Sequence, residues 1–219
     1  MAASAPRRVP TRTALARAVH RPASLLALTS IAVAHAVMVS VMVMTPVHLH
    51  EYGATLKVIG LVISVHIAGM YALSPVFGWL ADRIGRPVVI VLGWWLLGLA
   101  LLLAGTADPM DHTRASLALI LLGLGWSACL VAGSALLAES TPKAELISVQ
   151  GGSDLVMGMT AASAGALAGP VMGAGGYGWL TITASLLFAP LIAGLVRYWS
   201  WLRAGGGRAG GGRADRPAE

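Results

Sequence analysis

Six long apolar runs, almost free of charge, leave this chain few folds to choose from. They lie near Ser24–Thr45, Val58–Trp79, Val88–Thr106, Ala115–Ala138, Ser153–Ala174 and Gly178–Ser200. A hydrocarbon layer about 30 Å thick is crossed by about 20 apolar helical residues. Lipid offers no partner to an unpaired backbone N–H or C=O, so each run reads as a helix that satisfies its own backbone. Charged residues make up 11% of the chain, against roughly 25% in ordinary soluble domains. The predicted class is an all-α membrane protein with six transmembrane helices. The lipid bilayer is its first partner.

The basic residues then set the orientation. Arg7, Arg8, Arg12, Arg17 and Arg21 precede the first run, Arg83 and Arg86 lie between the second and third, and Lys143 lies between the fourth and fifth. Arg197, Arg203, Arg208, Arg213 and Arg216 mark the C-terminal end, while the opposite side receives only Lys57 and Arg114. That alternation is the positive-inside pattern and places both termini in the cytoplasm. The net charge of +6 is therefore topological, and no nucleic acid is expected as a partner. Residues 1–22 form an Arg-rich cytoplasmic segment, 23–202 the six-helix domain, and 203–219 a Gly/Arg-rich tail. Both end segments have little to bury and are expected to lack structure. The first run is too long for the h-region of a cleavable signal and is expected to stay. Cys129 has no partner cysteine, so no intrachain disulfide forms.

Between the second and third runs stands "GWLADRIGRP", three charges and two glycines in ten residues. Gly78 and Gly85 permit close approach and unusual backbone angles, and Pro87 suits the first turn of the next helix. By themselves the two arginines are ordinary topology anchors with Asp82 as a solvated neighbour. However, Gly78, Leu80, Asp82, Arg83, Gly85 and Arg86 match G-x-L-x-D-R-x-G-R, and that signature resembles the one in the major facilitator superfamily of transporters. The segments "LLGLGWSACLVAGSALLAES" and "VQGGSDLVMG" are also similar to the C-terminal half of bacterial members, and the likeness covers residues 24–200. Pro87 departs from it, standing where a second basic residue is usual.

The resemblance implies one half of the superfamily fold, two inverted three-helix repeats, in a bacterial inner membrane. The charged loop would act as a cytoplasmic latch that holds one conformation as two halves rock. Carried onto this chain, Asp82 would face a helix N-terminus in the other half, and Arg83 and Arg86 would reach Glu139. Asp154, after Ser153, is either a charge at the start of the fifth span or a further member of that latch.

An ionisable group at the membrane centre costs about 2.5–3.5 kcal/mol, which makes each one a candidate site. His35 and His66 fall near the middles of the first and second spans, and Trp126 and Ser127 lie at mid-depth in the fourth. These four are the candidates for binding substrate or proton; the alternative is neutral histidines satisfied by neighbouring helices. Met38, Met42 and Met70 share faces with the two histidines, but methionine is an ordinary apolar filler, and no metal site is expected. His48 and His50 are expected in a solvated outer loop. Gly158, Gly165, Gly169 and Pro170 read as a close-packing stripe on the fifth span.

The chain has no phosphate-binding GxxxxGK[ST] loop, no Ser/His/Asp set and no HExxH, so neither an enzyme nor a cofactor is expected. The function expected from the resemblance is proton-coupled movement of a small solute by alternating access. A second six-helix half, from another copy or a separate chain, would complete the path. The alternative is a non-transporting remnant or a membrane interaction module.

Overall fold

The computed structural model describes residues 9–108 and 110–205. The expected Gly/Arg tail beyond Gly205, together with Arg7, Arg8, Arg208, Arg213 and Arg216, lies outside the described residues. The elements are α1 (Thr11–Ala18), α2 (Pro22–Glu51), α3 (Leu56–Tyr71), α4 (Ser74–Ile84), α5 (Arg86–Gly105), α6 (His112–Ser140), α7 (Leu146–Ser185), a single 3-10 turn (Leu186–Phe188) and α8 (Ala189–Arg203).

Six crossings come from these elements in a way the apolar runs only partly foreshadow. The second crossing is α3 and α4 in series, 29 residues long. Pro75 has no N–H, and its ring would clash with the carbonyl of Tyr71, so the helix breaks at Ala72 and Leu73 and restarts with proline in its first turn. The fifth crossing and the start of the sixth are both in α7, which turns back at Gly176, where φ is 78° and ψ is −177°, and the sixth continues through the 3-10 turn and α8. Only glycine holds that backbone without strain, and the "GAGGYG" stretch supplies it.

Three boundaries move from their expected places. The first crossing runs on to Glu51, so His48 and His50 belong to α2 and not to a loop. The fifth begins at Leu146 rather than Ser153, which leaves Asp154 well inside the helix. In the leading Arg-rich segment, expected to be unstructured, α1 is helical and buries Ala14 and Ala18.

The packing repeats. α2 lies along α6, along the first arm of α7 and against α8, while α6 lies along α2, α3 and α5. Exchanging first for fourth, second for fifth and third for sixth crossings returns the same set of neighbours. With three crossings per unit, the two units run in opposite directions through the membrane, the inverted-repeat arrangement expected.

Between apolar helices in lipid, burying more hydrocarbon provides little drive, so close approach of small residues holds the helices together. The main core accordingly contains Ala34, Ala100, Ala104, Ala118, Ala168 and Ala184 around Val37, Leu97, Leu122 and Trp126. The tightest crossings are at glycines. A Cβ on Gly125 would stand 2.8 Å from the Gly93 carbonyl oxygen, and one on Gly123 would stand 2.6 Å from that of His66. The stripe expected on the fifth span contributes less: Gly165 approaches Val39, whereas a Cβ on Gly158 or Gly169 would meet nothing within 4 Å among the described residues. That correction has a simple cause. Spacing shows where helices can approach, and only the neighbours decide where they do.

Candidate functional site

Two polar sites stand out, one at the arginine-rich end of the bundle and one at mid-depth. At the first, Gly85 takes φ 97° and donates its N–H to the Ala81 carbonyl, closing the turn from α4 to α5. Arg86 opens α5 directly after it. Its Nη2 donates to Asp82 Oδ1 at 2.7 Å and contacts Glu139 Oε1 at 2.7 Å, while Nη1 donates to the Ala81 carbonyl at 3.2 Å. One guanidinium thus ties the ends of α4 and α6 to the start of α5. Planar forked donors suit this three-way role, which a lysine cannot reproduce. Arg83 takes a different course from the one expected: it lies over the Trp79 ring at 5.3 Å instead of reaching Glu139. Asp154 forms no ion pair with either arginine among the described residues. Gly78 approaches Val131 of α6. The Asp82 side chain is 71% exposed and remains open to a further partner.

A second charge node at the same end has no counterpart among the sequence expectations. Glu145, just before α7, accepts from Arg17 Nη1 at 2.7 Å and from Arg21 Nη2 at 2.9 Å. Ser148 Oγ donates to the Val9 carbonyl at 2.6 Å, and Thr11 and Leu15 pack over Gly152. These contacts hold α1 against α7. The one advance signal is a lone acidic residue in the α6–α7 connection with arginines far away in sequence, and without the fold nothing pairs them.

The two arginines lower the Glu145 carboxyl below the usual range, with Arg17 the larger influence. A carboxyl lowered in the folded state contributes stability above its unfolded value and loses it as pH falls through the folded one. Acidification below the ordinary carboxylate range should therefore release α1, and Glu145→Gln should release it at neutral pH. Trypsin cleavage after Arg17 and Arg21 measures this. Equal protection in wild type and variant would show that the node holds nothing.

At mid-depth, α2, α3, α4 and α6 converge. Trp126 Nε1–H donates to His35 Nδ1 at 2.7 Å, with ring centroids 5.7 Å apart. An indole nitrogen can only donate, so His35 Nδ1 accepts and the imidazole is neutral with its proton on Nε2. Tyr71, 61% exposed at the end of α3, meets the Trp126 ring edge-on at 6.1 Å. Beside them, Ser74 and Ser127 share a hydrogen bond of 2.9 Å, and Ser74 Oγ also donates to the Met70 carbonyl. Three of the four expected residues, His35, Trp126 and Ser127, therefore gather in one place. Tyr71 and Ser74 join them because the Pro75 break turns that stretch toward α6.

His66 is elsewhere. It is fully buried between α3 and α6, and its Nδ1 pairs with the Leu119 carbonyl at 2.8 Å. A carbonyl can only accept, so Nδ1 carries the proton and pins one helix to the other. Among the described residues, no cluster of three or more His, Cys, Asp or Glu side chains is placed to hold a metal ion.

A six-crossing bundle of inverted units, with an Asp/Arg/Glu node at one end and a polar aromatic cluster at mid-depth, is the architecture of a membrane transporter domain. Residues 26–218 match the Major Facilitator Superfamily, and the chain belongs to that family. It is 37% identical over 166 residues to the uncharacterized MFS-type transporter YddS of Bacillus subtilis, covering 76% of this chain and 38% of that protein. It is 38% identical over 164 residues to YdeG of the same organism, also described as an uncharacterized MFS-type transporter, covering 75% and 38%. The riboflavin transporter RfnT of Brucella anthropi is 29% identical over 162 residues, covering 72% of this chain and 40% of that protein. The chain thus spans about two fifths of the length of these relatives. No solved structure matches it. The family is one of transporters, not enzymes.

Proposed function

We propose that this chain forms one half of a secondary transporter that moves a small solute by alternating access, coupled to protons. The observation that carries the proposal is the hydrogen bond from Trp126 to His35. A proton taken up at His35 Nδ1 removes the acceptor, so the indole N–H must find another partner. Protonation and side-chain arrangement at the midplane are therefore the same event, which is what coupling requires. Ser127 and Ser74 offer hydroxyls to a solute, and Tyr71 and Trp126 offer ring faces. A planar heteroaromatic solute fits that surface, and riboflavin, named for one relative, is such a molecule.

The second half, another copy or a separate chain, would cover the exposed faces of α3, α4 and α7, where Leu61, Tyr71, Val76, Leu155 and Met159 are open. Gly158 and Gly169 on α7, where a Cβ meets nothing within 4 Å among the described residues, would then find a close neighbour beside Pro170. Asp82 would meet a helix N-terminus of that half, and Asp154, exposed on α7, would be free to join the same latch. The distribution of arginines supports an orientation with both termini inside, and the bacterial relatives support an inner membrane as the site.

The test is solute uptake into proteoliposomes across an imposed pH gradient, with riboflavin in the panel. His35→Gln should abolish the dependence on the gradient and lower uptake by about a hundredfold to a thousandfold, the lower part of the range typical of a lost proton-transfer group. His66→Gln should affect folding more than pH dependence. Absence of uptake by the chain alone and together with a matching six-helix half would remove the proposal.

A further inference from the structure

The third and sixth crossings meet at one end and part toward the other. Away from the arginine-rich rim, α5 presses on the second arm of α7: a Cβ on Gly105 would collide with Thr181 Oγ1, and one on Gly178 would stand 3.3 Å from the Gly105 carbonyl oxygen. Nearer the rim that closeness is lost. A cleft of about 760 Å³ opens there, with Trp94, Gly98 and Leu102 of α5 on one wall and Phe188, Ile192 and Leu195 of the sixth crossing on the other. A smaller cavity of about 370 Å³ shares Gly98, Leu102 and Phe188 and continues the cleft toward Thr181. A Cβ on Gly98 would meet nothing within 4 Å among the described residues. From Val91 to Leu102, both on the cleft, α5 rises about 16 Å. That is about the depth of one leaflet's hydrocarbon, half of about 30 Å.

The mouth of the cleft is aromatic and basic. On α8, Ile192, Val196, Trp199 and Arg203 recur at helical spacing on one stripe, and all four are exposed. The stripe carries the α8 wall of the cleft out to a guanidinium at the rim. Trp199 meets Tyr198 edge-on at 6.4 Å, an amphipathic anchor of the kind that settles at a membrane interface. Arg197, two residues past Leu195, lies on the opposite side of the helix. Among the described residues, neither Arg197 nor Arg203 forms an ion pair. Glu139 acts on Tyr198, but Arg86 already holds it at 2.7 Å. The mouth therefore offers a ligand a cation and, among the described residues, no free carboxylate for an ammonium group. A second half seated on α3, α4 and the first arm of α7 would leave the cleft facing lipid, because α5 and α8 pack on α6 and α2 rather than on α3.

We propose that this cleft binds one anionic glycerophospholipid from the leaflet at the arginine-rich end, with an acyl chain along Gly98 and the phosphate at Arg203. Charge complementarity selects the head. A guanidinium donates in pairs to phosphate oxygens, and a basic residue beside an interhelical cleft holds such heads at the membrane surface. The wedge shape selects the tail: it is open at the rim and shut at Thr181, so it admits a chain end-first and stops it. The lipid ties α8 to α5 where their own side chains leave a gap. The site requires neither the solute nor the proton coupling put forward above, and goes beyond both.

The experiment is native mass spectrometry of the delipidated full chain in detergent, titrated with phosphatidylglycerol or with phosphatidylcholine of the same acyl chains. The first phosphatidylglycerol should bind about fivefold more tightly than the first phosphatidylcholine, the worth of one arginine at an anionic head. Arg203→Gln should erase that preference, and Arg197→Gln, on the far side of α8, should keep it. Gly98→Leu fills the cleft and should weaken the first binding of both lipids about tenfold, the loss of about two buried methylenes. Equal binding of the two lipids by the wild type overturns the proposal. A preference that survives Arg203→Gln, or that Arg197→Gln removes equally, overturns it as well, and so does undiminished binding in Gly98→Leu. If Gly98→Leu does not fold, Ile192→Trp on the facing wall takes its place: a tenfold loss there supports the site and unchanged binding overturns it.

Discussion

Replacing Gly125 with valine should destabilise the bundle by about 3 kcal/mol, the upper range for forcing bulk into a packed interior. A Cβ there would stand 2.8 Å from the Gly93 carbonyl oxygen, the Leu97 nitrogen and the Leu97 Cγ. Two of these atoms are backbone and cannot swing aside, so α5 must move away from α6. Gly93 is equally confined from the other side: its Cβ would stand 2.5 Å from Cys129 Sγ and 2.8 Å from the Gly125 carbonyl oxygen. Moving α5 also loosens Leu97 and Cys129, both fully buried. The control is Gly98→Val on α5, the facing helix, where a Cβ meets nothing within 4 Å. It should change stability by no more than about 0.5 kcal/mol. Reversible unfolding in mixed micelles measures both, and equal effects would show that the crossing at Gly93 and Gly125 is not what holds α5 to α6.

Arg86→Glu should have the largest effect at the charged rim. Two ion pairs would be lost, each worth about 0.2–1 kcal/mol at this exposure, and a third carboxylate would be set against Asp82 and Glu139. The swing is about 2 kcal/mol, a shift of about thirtyfold in any equilibrium the node controls. Cysteine crosslinking between the ends of α4 and α6 should fall accordingly, and the effect should shrink in high salt. Adding Asp82→Asn and Glu139→Gln to Arg86→Glu removes the repulsion and should restore part of the crosslinking. Unchanged crosslinking in Arg86→Glu would leave Arg86 as a topology anchor only.

Much of the fold was legible because lipid permits so little. Six apolar runs become six crossings since an unpaired backbone has no partner in hydrocarbon, and "GWLADRIGRP" marks a tight turn because Gly85 needs a positive φ there. Arg86 and Glu139 met as expected: both sit at the ends of long helices on the same side, so topology alone brings them near. Arg83 did not, because its neighbour Trp79 offers a ring one turn away, a local option that charge counting overlooks.

The candidate site was legible as a set of residue types at one depth but not as a constellation. His35 and His66 look alike in sequence, each an imidazole amid apolar neighbours. Their environments differ because α2 and α6 present His35 to an indole, whereas α3 buries His66 against a carbonyl. Glu145 was overlooked, and His48 was read as a loop residue, for a related reason. Their partners, Arg17 and Tyr177, are more than 120 residues away in the chain, and no local period links them.

By itself the sequence determined the number of crossings, their approximate depth, the side on which the charges gather and the family, since each depends on local composition or on a short contiguous motif. Only the tertiary structure decided which glycines carry the close crossings, which histidine joins the midplane cluster, and that α1 is clamped through Glu145. Those outcomes depend on which helix faces stand opposite one another, and interhelical geometry is set by the packing of all six crossings together.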